Sequence, residues 1–123
     1  MKFSNEANYL FFSTLASHTR LAIIDFLRKD PKRLAEISDT LNLEQALVAK
    51  NLDKLDHVGL ILLEGSGDEK RYVVNKEIIE PLSELLDFHV NKYCPGLTEC
   101  IPPEKLKEYM KKEAAKVMYI GHE

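Results

Sequence analysis

One stretch, Leu34 to Val74, restricts the possible folds more than any other part of the chain. Leu34, Ile37 and Leu41 recur at helical spacing, Asn42-Leu43 breaks the pattern, and Val48, Leu52 and Leu55 resume it up to about His57. Gly59 supplies a helix stop. The signal then changes. Leu60-Ile61-Leu62-Leu63 is a short apolar run, Gly65-Ser66-Gly67-Asp68 is turn chemistry, and Arg71-Tyr72-Val73-Val74 is rich in strand formers. The expectation is a helix, a sharp turn, a second helix starting at Glu44, and a two-stranded wing. That order of elements suits the major groove of duplex DNA.

The remaining segments read as helices around this unit. Asn5 to Thr14 places Ala7, Leu10, Phe11 and Thr14 on one face. Ser17 is a good N-cap for a helix carrying Leu21, Ile24 and Leu27, with Ile23 and Phe26 widening the stripe and Asp30-Pro31 ending it. A long helix is expected from Lys76 to Tyr93, with Ile78, Ile79, Leu82, Leu85, Leu86, Val90 and Tyr93 on a broad apolar stripe. Cys94-Pro95-Gly96 stops it, and a Pro/Gly linker leads to a last helix from Glu104 to about Tyr119. The expected division is a winged domain with its dimerisation helices over 1–93, then a linker and C-terminal helix over 94–123. The fold class is α+β, mostly α. The apolar faces at both ends exceed what a small winged domain needs for its own core, so a homodimer is expected. A C-terminal helix folding back over those faces in a monomer is the alternative.

With 123 residues the chain is sized for one domain. No apolar run approaches the ~20 residues of a membrane-spanning helix. Met1 to Glu6 lacks the basic start and apolar middle of a signal peptide, so a cytoplasmic protein without membrane association is expected. The net charge of −3 argues against DNA binding through bulk charge and leaves the work to a local basic face. Arg28, Lys29, Lys32 and Arg33 precede the Leu34 helix, and Lys70 and Arg71 sit in the hairpin.

The candidate reading helix exposes Glu44, Gln45, Leu47, Lys50, Asn51 and Lys54. Gln45 and Asn51 can pair bidentately with adenine, Lys50 and Lys54 suit guanine or phosphate, and Leu47 can pack on a thymine methyl. Glu44 can accept from a cytosine amino group. Lys70 and Arg71 on the wing supply phosphate affinity. Arg33, at a helix start, can meet a phosphate together with backbone N–H groups. Glu44, Asp53 and Asp56 make this helix acidic for the task.

Residues 10 to 93 resemble the ArsR/SmtB group of winged helix-turn-helix repressors. The resemblance is carried by Leu15-Ala16-Ser17-His18-Thr19-Arg20-Leu21, Leu34 to Leu43, Val48-Ala49-Lys50-Asn51-Leu52-Asp53-Lys54-Leu55, Val58-Gly59-Leu60-Ile61, and Arg71-Tyr72. It implies a homodimeric transcriptional regulator, acting as a repressor on duplex DNA and released by an effector that the chain does not identify. The family's usual serines and histidine on the reading helix stand here as Glu44, Ala49 and Asn51, so the operator does not carry over. The metal-thiolate motif of the third helix is missing. The zinc-type site of the long helix is half matched. Asp87 and His89 fit its first half and Cys100 falls at a ligand position, but Pro103 stands where the fourth ligand belongs. Cys94 and Cys100 can alternatively form a redox disulfide, or remain two unpaired thiols.

No enzyme is expected. His18, His57, His89 and His122 have no evident nucleophile at a strand-to-helix elbow, and no Gly-rich loop cradles phosphate. The rival to a DNA reader is a winged-helix module that binds another protein.

Overall fold

The computed structural model describes residues 2–97, 103–108 and 111–112. Among the described residues the bounded helices and the hairpin follow in chain order: α1 Glu6–Leu15, α2 His18–Leu27, α3 Leu34–Leu41, α4 Gln45–His57, β1 Ile61–Glu64, β2 Arg71–Val74 and α5 Lys76–Tyr93. Single 3-10 turns occupy Gly67–Glu69 and Pro103–Lys105. Among the described residues, no single helix is long and apolar enough to cross a membrane.

Local chemistry starts and stops these helices. Asn5, Ser17 and Asn75 each stand in extended backbone, and their side chains accept the N–H of Asn8, Arg20 and Glu77 at the first turns of α1, α2 and α5. That satisfies donors a helix start leaves open. Helices α3 and α4 end alike. Asn42 takes a φ of 54° and Gly59 one of 79°. The following N–H groups of Leu43 and Leu60 then reach back five residues, to Ser38 O at 3.1 Å and Leu55 O at 3.0 Å. Left-handed backbone is tolerated by Gly and, among other residues, best by Asn, so the sequence chose both sharp turns. At Gly65 (φ 75°) the wing turn closes so tightly that an added Cβ would lie 2.7 Å from Glu69 O.

Helix α2 ends three residues earlier than Asp30-Pro31 would require. The chain leaves the helix to lay Lys32 beside β2, where Lys32 and Tyr72 exchange backbone bonds of 3.0 and 2.8 Å. The hairpin is antiparallel, with Ile61 opposite Val74 and Glu64 opposite Arg71.

The core gathers Ile23, Ile24 and Leu27 of α2, Ile37 and Leu41 of α3, Val48, Leu52 and Leu55 of α4, and Leu60, Ile61, Tyr72 and Val74 around the hairpin. Leu21, expected on the α2 stripe, is instead exposed, because the buried face centres on Ile23, Ile24 and Leu27. On α1, Thr14 is buried while Leu10, expected inward, is exposed along with Tyr9 and Phe12. On α5, Ile79 enters the core, whereas Ile78, Leu85, Leu86, Phe88 and Tyr93 are exposed. The segment after the linker contributes Leu106, which is buried in the core, and the Pro103–Lys105 turn lies against α3. Much of the last expected helix, through Tyr119, lies outside the described residues.

Candidate nucleic-acid interface

Helix α4 is braced from behind by α3 across the Asn42 turn and seats Val48, Leu52 and Leu55 in the core. This fixes which residues face away. Gln45, Ala46, Lys50, Asp53, Lys54 and His57 are exposed, and Ala49 is half-buried. Glu44 is exposed as the N-cap, in extended backbone, with its carbonyl accepting from the Val48 N–H at 3.1 Å. Gln45, Lys50 and Lys54 are thus exposed, as expected of them. Ala46, absent from the sequence-derived set, lies on the face of Lys50, and its methyl is suited to contact with a thymine methyl. Turning the helix away from Val48, Leu52 and Leu55 was the signal that could have found it.

Two expected base contacts do not face outward. Asn51 is buried, and both ends of its amide are engaged within the protein. Its Oδ1 accepts from Arg20 Nη1 at 2.9 Å, and its Nδ2 donates to Leu47 O at 2.9 Å. Around the helix, Asn51 stands between the core residues Val48 and Leu55 on one side and the exposed Lys50 and Lys54 on the other. The arginine of α2 settles which way it points. Leu47 is half-buried and packs against the core, so it too is turned from the outward face.

Arg20 is the functional neighbour that sequence reading missed. It lies 31 residues from Asn51 in the chain, and no spacing rule links the two. Its guanidinium also donates through Nε to Thr14 O at 2.6 Å and through Nη2 to Ser13 O at 3.4 Å. The Lys54 ammonium is held below the ordinary lysine range, first by partial loss of hydration, then by repulsion from Arg20 and from Lys50.

On the wing, Arg33 and Arg71 line one recess of about 300 Å³ with Glu64, Gly65 and Glu69. Two residues expected to meet phosphate are therefore brought together, with two carboxylates beside them. Glu36 also accepts the Arg33 N–H at 3.1 Å, which occupies a donor at the start of α3 that was expected to serve phosphate. Lys70 is exposed, with its ammonium 5.5 Å from the centre of the Tyr72 ring. The basic run before α3 disperses. Lys32 pairs with Asp30 and lies 4.7 Å over the Phe26 ring, and Arg28 donates to Ser83 of α5 at 3.0 Å.

On α5, Asp87 and His89 are exposed, and the His89 ring lies 5.9 Å from that of Tyr93. Cys94 is half-buried with a free thiol. Cys100, expected as its disulfide partner or as a zinc ligand, lies outside the described residues. Among the described residues, no group of three or more His, Cys, Asp or Glu side chains could hold a metal ion.

Helix, turn, second helix and two-stranded wing make a winged helix-turn-helix fold. Residues 17–76 match the family model described as a winged helix DNA-binding domain. A curated relative, an uncharacterized HTH-type transcriptional regulator of Methanocaldococcus jannaschii, is 32% identical over 66 residues. The match covers 54% of this chain and only 17% of that protein. Among solved structures, the homodimeric winged helix-turn-helix domain of Mb0332 from Mycobacterium bovis, a possible ArsR-family regulator, is similar with a TM-score of 0.65 at 20% identity, over 72% of this chain and 82% of that one. HlyU from Vibrio cholerae matches with a TM-score of 0.61 at 22% identity, over 76% and 99% of the two chains. NolR from Sinorhizobium fredii matches at 0.59 and 22%, over 68% and 85%. The ArsR-type resemblance read from the sequence holds at the level of the fold.

Proposed function

We propose that this chain is a transcriptional regulator that binds duplex DNA as a homodimer, with α4 in the major groove and the wing against the backbone. The observation that supports it most is the outward face of α4. Gln45 and Lys50 stand near its N-terminal half, where a reading helix meets base edges, and Lys54 is exposed one turn beyond Lys50. Arg33, Lys70 and Arg71 supply phosphate contacts from the wing side. Self-association is favoured by the exposed apolar residues of α5 and α1, which a second copy would cover. Two copies related by a two-fold axis would address two half-sites about one helical turn apart. Repression, by occupying a promoter, is the mode the ArsR likeness favours, with the cytoplasm as the compartment.

The test is binding of the full chain to random duplex DNA at low salt, followed by selection of preferred duplexes from a randomised pool. Uptake that weakens steeply with salt, together with an enriched sequence, is expected. A folded dimer that binds no duplex would overturn the proposal in favour of a protein-binding module.

A further inference from the structure

We infer that Arg20 and Asn51 form a positioning pair that sets the rotation of α4 about its own axis, and through it the discrimination between a preferred and a random duplex. The inference rests on the DNA-binding reading above. The side chains that seat α4 include Val48, Leu52 and Leu55 with Leu47 beside them, and apolar contacts are non-directional. A hydrogen-bonded guanidinium is different, because its donors leave a rigid plane in fixed directions. Here that plane is anchored on α1, through Thr14 O at 2.6 Å and Ser13 O at 3.4 Å, and it reaches α4 at Asn51 Oδ1, 2.9 Å away.

Asn51 is prepared to receive it. Its Nδ2 is held by Leu47 O one turn earlier, so its oxygen is presented to Arg20. A leucine at position 51 would extend the apolar face formed by Val48, Leu52 and Leu55. A buried amide in its place adds direction, and it costs free energy unless both its ends are paired, as they are here. Rotation matters because of leverage. A turn of roughly 10° moves a side-chain tip ~6 Å from the helix axis by about 1 Å. Site geometry tolerates only about 0.5 Å. The pair therefore acts on Gln45 and Lys50 without touching DNA itself, and it ties their placement to the C-terminal end of α1.

Three variants test this: Arg20→Lys, which keeps the charge and loses the planar fork; Asn51→Leu, which removes the acceptor; and the double variant. Thermal melts first establish that each folds. Affinities are then measured for a duplex selected by the wild type and for a random duplex, across a salt series. Each single variant is expected to lower the preferred-to-random ratio by roughly tenfold, the size of one lost base contact, with the salt slope unchanged. The double variant is expected to lose no more than either single one, as partners in one interaction do. Wild-type discrimination in Arg20→Lys, or full additivity in the double variant, would overturn the inference. If the wild type binds no duplex, the DNA reading fails separately. Amide exchange then decides on the pair: faster exchange at Lys50 to Lys54 than in α3 in both single variants supports it, and unchanged protection overturns it.

Discussion

Helices α4 and α5 carry apolar residues at the same helical spacing, yet they treat them differently. On α4, Val48, Leu52 and Leu55 are fully buried, and the opposite face is polar. On α5, Ile79 is buried near the N-terminus, while Leu85, Leu86, Phe88 and Tyr93 remain between 49% and 64% exposed. One stripe is covered within the domain, and the other is left uncovered by the described residues. Periodicity reports that a face is apolar, and it does not report what covers that face. The contrast seats the apolar stripe of α4 in the core and leaves its polar face, like the stripe of α5, exposed among the described residues.

Replacing one leucine on each helix gives the largest contrast. Leu52→Ala should destabilise the fold by about 2–5 kcal/mol, through lost burial and the cavity left behind. Leu85→Ala, measured by urea denaturation at concentrations low enough to disfavour association, should change stability by roughly 0.5 kcal/mol or less. Equal losses would break the comparison. Next, Leu85→Glu with Leu86→Glu should leave the helical circular dichroism intact and convert a dimer to a monomer in sedimentation. A variant that still dimerises would remove α5 from the interface.

Smaller effects sharpen the other side of the comparison. Lys54→Ala on α4 should weaken binding to all duplexes alike and make the salt dependence shallower by roughly one unit of slope. The corresponding change on α5, Lys92→Ala, should leave that slope unaltered. The smallest effect is in pH. Lys54 loses its proton below the ordinary lysine range, because of reduced hydration and the charges of Arg20 and Lys50. Its attraction for phosphate therefore fades as pH rises, earlier than that of an unperturbed lysine. Lys54→Arg should flatten the decline in fluorescence-anisotropy titrations at alkaline pH, since arginine stays charged.

The local elements were legible because their signals are local. Leu34–Leu41, Arg71–Val74 and Lys76–Tyr93 fall where spacing and strand formers placed them, and Ser17 caps α2 through its own side chain. The site was less legible. Gln45, Lys50 and Lys54 face outward because the inward positions of α4 were evident from spacing. Asn51 looked like a base-reading amide, and only the guanidinium of Arg20 shows that it faces inward. The basic run Arg28 to Arg33 looked like one patch. A run of charges has no direction until the chain turns, and here Lys32 is drawn to Phe26 and Asp30 while Arg28 is drawn to Ser83.

The sequence by itself determined the order of helices, turn and wing. Helical period, caps, the left-handed turns at Asn42 and Gly59, and the strand formers of the hairpin all act within a few residues. Only the tertiary structure decided which polar groups of α4 are exposed, which are held by hydrogen bonds inside the protein, and which apolar face the described residues leave uncovered. Those outcomes depend on partners brought together from distant parts of the chain, as Arg20 is to Asn51 and Leu106 to the core. Spacing within a helix carries no information about them.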